Sequence, residues 1–226
     1  MTRMSKWIYL SHFLDSTTPA YSGGETFQSI GLRSIEHGDT CNTARWIMPN
    51  HIGTHIDFPR HFIEGGKSFS DYTPEFWILN AVHLIDVSPV APSSRIAEDL
   101  LNIESIEANT DILIIKTGFG EQRDNECYRN AGPVFMPELA DALRKQCPGI
   151  RLMGFDTISL SSWSDRELGR IAHRAFLCHS WPILLLEDMD LLQVGNNTKF
   201  HKVIISPLCV SNADASPCTV LAEIEE

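Results

Sequence analysis

Long apolar runs are missing from this 226-residue chain. None approaches the roughly 18 consecutive apolar residues a membrane helix needs, so no membrane partner is expected. Positive charge is also scarce. Lys and Arg total 18 against 29 Asp and Glu, for a net charge of −11. Nucleic acid, whose phosphates require a basic surface, is excluded as a partner on that balance. The six cysteines contain no C-x-x-C pair, and the chain is too long to depend on a disulfide scaffold. Reduced thiols in the cytoplasm are the expectation. The opening stretch "MTRMSKWIYLSHFLDSTTP" has a short apolar patch, but His12 and Asp15 interrupt it and no small-residue cleavage site follows. It does not read as a leader. Internal repeats, low-complexity tracts and linkers are all lacking, which points to a single domain over residues 1–226.

What is present is a hydrophobic content of 43%, enough for a sizeable core. Apolar runs closed by turn residues predict strands in "WIYLSHFL", "ARWIMPNHIG", "AVHLIDVSPV", "DILIIKTGFG", "GIRLMGFDTI", "PILLLED" and "KVIISPLCV". Helical spacing predicts helices in "IAEDLLNIE", "MPELADALRKQC" and "SDRELGRIAHRAFLCH", the last with Ser164 and Glu167 as a capping box. Strands outnumber helices. The expected class is α/β, a single domain around a mixed sheet.

The chemistry concentrates in "HIGTHIDFPRH", residues 51–61, with three histidines and an aspartate. His51 and His55 have i, i+4 spacing, but Gly53, Thr54 and Pro59 oppose a helix, and the glutamate of H-E-x-x-H is absent. In an extended chain His55 and Asp57 point to the same side, and a turn at Gly53 can bring His51 beside them. Neutral imidazoles with a carboxylate suit zinc or manganese. The competing reading is a polar loop of hydrogen-bonded histidines. His61, just past Pro59, is either a further ligand or a proton carrier.

Three local ligands leave a site incomplete, so others must come from elsewhere. His83 lies in an apolar strand and reads as a core histidine. "HRAFLCHSWPILLLED" offers His173, His179, Glu187 and Asp188. On a helical projection Leu168, Ile171, Ala172 and Ala175 form an apolar stripe. His179 would fall on it as a packing or capping residue, and His173 lies well off it, free to face a site. Glu187 ends the apolar strand and points opposite to Asp188.

The segment resembles the H-x-G-T-H-x-D-x-P-x-H signature of the metal-dependent cyclase family, which includes bacterial kynurenine formamidases and isatin hydrolases. "YLSHFLDSTTPAYSGGETF", "FIEGGKSFSDYTPEFWILNAVHLIDVS", "ILIIKTGFG", "GFDTISLS" and the D-x-S-P turn of "SPLCVSNADASPCTVLA" resemble its other motifs, so the likeness spans nearly the whole chain. It implies a swivelling β/β/α fold and a homodimer or homotetramer. It places His51, His55 and Asp57 as metal ligands and His61 as proton donor and acceptor. His173 and Glu187 would complete a second metal position, with Asp57 and Glu187 bridging. Tyr21 would touch the substrate. Two departures stand out: the segment from His173 to Glu187 is longer than in the formamidases, and Tyr21 stands where they carry tryptophan. One ion and two both remain open, as do zinc and manganese.

The implied activity is hydrolysis of a small amide, either an N-formyl arylamine such as N-formylkynurenine or a cyclic amide such as isatin. Two rivals are a cyclase or dehydratase using the metal as a Lewis acid, and a non-catalytic metal-binding protein. Product mass separates the first rival, because hydrolysis adds water. The proton-carrying His61 speaks against the second.

Overall fold

The computed structural model describes residues 5–225; the first four residues of the stretch weighed above as a leader lie outside it. In chain order the strands are β1 (Ser5–Tyr9), β2 (Gln28–Arg33), β3 (Thr43–Ile47), β4 (His55–Asp57), β5 (Ile78–Leu79) and β6 (Val82–Asp86). They continue as β7 (Arg95–Ile96), β8 (Ile112–Lys116), β9 (Val134–Phe135), β10 (Leu152–Phe155), β11 (Leu184–Glu187), β12 (Phe200–Pro207) and β13 (Ala215–Glu225). The α-helices are α1 (Glu98–Leu101), α2 (Glu126–Asn130), α3 (Glu138–Gln146) and α4 (Arg166–Leu177).

The main sheet runs β5-β12-β13-β4-β11-β10-β8-β6, with β1 paired to β13. Strands β6, β8, β10 and β11 are parallel, and β4 joins them antiparallel to β11. Ile112, Leu113, Ile114 and Ile115 of β8 are all fully buried, as expected for a parallel strand covered on both faces. Because β12 also packs against β6, the sheet is nearly closed. The result is a mixed α/β domain, in agreement with the class read from the sequence.

The sheet's most consequential strand is one of its shortest. β4 holds only three residues, all buried, and lies between β11 and β13. His55 pairs in register with Glu187 on one side and Pro217 on the other, so the histidine segment enters the centre of the sheet.

Helix α4 departs from the expected projection. Its buried residues are Gly169, Ala172, His173, Phe176 and Leu177, whereas Ile171 is 52% exposed. His173 therefore belongs to the buried face. A histidine with polar partners inside the protein interrupts the hydrophobic periodicity, and the stripe drawn from apolar residues alone was rotated off the true one. The cap differs too. Asp165 accepts from the Leu168 N–H, and Ser162 accepts from Ser164 at the preceding turn, so the Ser164–Glu167 box does not form. The helix ends at Leu177; His179 lies beyond it, exposed, and accepts from the Trp181 N–H. All six cysteines are free thiols. Among the described residues no helix is long and apolar enough to cross a membrane.

Candidate metal centre

The turn that begins the site depends on Gly53. Its φ is +59°, in the left-handed region, and a methyl group there would approach Leu14 Cδ2 to 2.4 Å. The Gly53 carbonyl accepts a hydrogen bond from His55 Nδ1 at 2.8 Å. Gly169 does the same for His173, whose Nδ1 lies 2.7 Å from its carbonyl oxygen. A carbonyl only accepts, so Nδ1 carries the proton in both rings and Nε2 is the atom presented to the site.

Those Nε2 atoms converge on two carboxylates. His55 Nε2 lies 3.4 Å from Glu187 Oε2 and 3.5 Å from Asp57 Oδ1. His173 Nε2 lies 3.5 Å from Glu187 Oε1 and 3.9 Å from Asp57 Oδ2. Glu187 is steadied by the Leu160 N–H, which donates to its Oε1 at 2.7 Å. His51 Nδ1 is 3.0 Å from Asp57 Oδ1 without the alignment a hydrogen bond requires. Two buried atoms of this cluster are left with no hydrogen-bond partner, His55 Nε2 and Asp57 Oδ1. Unsatisfied buried polar atoms are uncommon, and here they face each other among further donors. The ligand atoms of His55, Asp57 and Glu187 lie within 4.8 Å of one another, and so do those of His51, Asp57 and His61. Asp57 belongs to both groups.

The electrostatics match a cation site. Burial works to discharge His51, but Asp57 and Asp214 overcome it and push its pKa up to about 10. Burial likewise opposes charge on His55 and His173, and Glu187, helped by Asp57, raises both above the ordinary imidazole value. Burial disfavours ionised Glu187, yet the two imidazoles hold its carboxyl well below the usual range. A bound cation would compensate the same carboxylates that raise these imidazoles.

All seven residues singled out in the sequence come together. His51, His55, Asp57, His61, His173, Glu187 and Tyr21 line one cavity of about 410 Å³. Tyr21 stands at its wall, edge-on to Trp163 with ring centroids 5.8 Å apart. Asp188 points elsewhere, into a bidentate pair with Arg123. His83 is half-buried on β6, away from the cluster, and burial lowers its pKa.

One residue was not anticipated. Asp214 precedes β13, and its Oδ2 lies 3.2 Å from both His51 Nε2 and His61 Nδ1, while its Oδ1 accepts from Asn50. The hydrogen bond from His51 holds the Asp214 carboxyl well below the usual carboxylate range. Its only signal in the sequence was the D-x-S-P turn at residues 214–217, read above as a structural motif.

The chain is 30% identical over 215 residues to kynurenine formamidase from Bacillus anthracis, covering 95% of this chain and 96% of that protein. Isatin hydrolase A from Labrenzia aggregata, solved with benzyl benzoate, superposes with a TM-score of 0.83 at 23% identity, over 98% of this chain and 94% of that one. A structure described as a potential metal-dependent hydrolase with cyclase activity gives a TM-score of 0.77 at 21% identity, over 99% of this chain and 100% of that one. These two likenesses establish the shared fold. The family model described as "Putative cyclase" matches residues 8–162, which include the whole histidine segment. Spanning more than half of the sequence, that match makes this chain a member of the cyclase family.

Proposed function

We propose that the protein is a metal-dependent hydrolase of a small amide, an N-formyl arylamine such as N-formylkynurenine or a cyclic amide such as isatin. The observation that carries this reading is the convergence of His51, His55, His61 and His173 with Asp57 and Glu187 on one cavity, with Asp214 against His51 and His61 and two buried ligand-type atoms unpartnered. The kynurenine formamidase and isatin hydrolase relatives support it.

His51, His55 and Asp57 would hold one divalent ion, zinc or manganese. His173 and Glu187 would complete a second position, with Asp57 and Glu187 shared. An ion so held supplies a water that is ionised near neutral pH and polarises the substrate carbonyl. The chain does the rest. Asp214 orients His61 through Nδ1, and His61 takes up a proton and delivers it to the leaving nitrogen. Tyr21 and Phe62 flank the substrate, and α4 closes the cavity beside them.

Turnover of a panel of formamides, cyclic imides and isatin, with product mass and metal content measured on the same sample, tests the reading. Absence of hydrolysis across the panel would end it. Asp57→Ala is expected to strip the metal, because Asp57 belongs to both ligand groups and its loss leaves buried imidazoles unpaired. Glu187→Gln should weaken metal binding as well. Full occupancy by elemental analysis in the Asp57 variant would refute the assignment.

The same proposal includes a cytoplasmic homo-oligomer of two or four copies. Free thiols throughout support the compartment. The β2–β3 hairpin supports the assembly. It forms its own two-stranded sheet and exposes Leu32, Trp46 and Ile47 at 59%, 68% and 44%. Trp46 and Ile47, consecutive in β3, put apolar surface on both faces of the hairpin, and an isolated hairpin is marginal in water, so a second copy is the natural cover for it. Trp46→Ser should lower the assembly's mass in light scattering; an unchanged mass places the interface elsewhere.

A further inference from the structure

The floor of the cavity is acidic, but its rim is not. Arg166 and Arg170 stand one turn apart on α4, and both line the opening. The Arg166 guanidinium lies over the Trp163 ring, 4.3 Å from its centroid. Trp163 in turn meets Tyr21 edge-on. The next arginine along the row, Arg174, donates to the Phe62 carbonyl at 3.2 Å, fixing the residue after His61. Arg123, Arg144 and Arg151 each find a carboxylate. Among the described residues Arg166 and Arg170 have no carboxylate partner, although the chain carries a net charge of −11. Two cations left open at the mouth of a cavity with aromatic walls are placed for a ligand that is aromatic in its body and anionic at one end. Guanidinium groups suit a carboxylate by geometry as well as charge.

We infer that Arg166 and Arg170 hold a carboxylate of the substrate, so that the enzyme selects aryl amides bearing an acidic group over neutral ones. This rests on the amide-hydrolase reading and narrows it. The scissile amide lies at the acidic floor, the aromatic ring between Tyr21 and Phe62, and the carboxylate at the α4 rim. A neutral cyclic amide leaves both arginines unused.

The test compares formanilide with a formanilide carrying a carboxylate, on the metal-loaded protein. The carboxylated compound should show a kcat/KM roughly 10- to 100-fold higher, the size of one or two charge-assisted hydrogen bonds. Arg166→Gln and Arg170→Gln should each shrink that ratio, acting on KM more than on kcat, and Arg170→Lys should restore part of it. A ratio near one in the unaltered protein, or a ratio that neither variant moves, overturns the inference. If neither compound is hydrolysed, the amide-hydrolase reading fails on its own. Calorimetric titration of the same two compounds then still decides the matter: equal affinities overturn the arginine assignment, and a preference for the carboxylated compound that Arg170→Gln removes supports it.

Discussion

His61→Ala is expected to lose roughly 10²- to 10⁴-fold in kcat while keeping its metal and its fold, the usual contribution of a positioned acid–base group. The residue sits in the turn Pro59–His61, where Pro59 stiffens the chain just beyond Asp57. Its Nδ1 faces Asp214 Oδ2 at 3.2 Å, which leaves Nε2 as the atom available to a substrate. Burial pushes its pKa below the ordinary imidazole value, although Asp57 and Asp214 pull the other way, so at neutral pH the ring is an acceptor ready for a proton. The side chain is also 31% exposed, the most open of the site's imidazoles, which suits exchange with solvent. Metal stoichiometry and kcat measured together decide its role. Metal loss would make His61 a ligand, which its place beside His51 and Asp57 permits geometrically. An unchanged rate would make it a bystander.

The largest effect on stability is expected at Arg123. Asp188 is 1% exposed and receives Arg123 Nε at 2.9 Å and a terminal guanidinium nitrogen at 2.7 Å, with the Tyr128 hydroxyl as a third donor. Arg123→Met removes two of these donors and strands a buried carboxylate. Breaking such a pair costs about 3–5 kcal/mol. At about 2–4 °C per kcal/mol for a chain of this size, the melting temperature should fall by roughly 6–20 °C. A fall of only a degree or two in a thermal melt would show that Tyr128 alone satisfies Asp188. The site should feel the change as well. Asp188 follows Glu187 at a φ of 51°, and its carbonyl accepts from the Thr54 hydroxyl beside His55. Asp188→Asn, which keeps the shape and most hydrogen bonds, should leave the metal bound, because the side chain faces Arg123 and not the imidazoles.

Much of the centre was legible in the chain because its pieces are local. His51, His55, Asp57 and His61 share eleven residues, and strand alternation alone puts His55 and Asp57 on one side. Alternation also separated Glu187 from Asp188, and apolar runs such as "ILIIK" identified the central strands. Family likeness supplied His173, but helical periodicity supplied the wrong reason for it: the stripe was drawn from apolar residues, and the true buried face includes the histidine itself. Other features had no local trace. Asp214 is 153 residues from His61 and 163 from His51, and Arg123 is 65 from Asp188. Periodicity tells which face of an element is buried, whereas the choice of a charged partner depends on which elements become neighbours. The chain by itself determined a mixed α/β domain with a metal-type cluster around residues 51–61. Only the tertiary structure seated β4 between β11 and β13, brought Asp214 to two histidines and lined the rim with arginines, because burial and proximity acquire their electrostatic force only after the sheet has assembled.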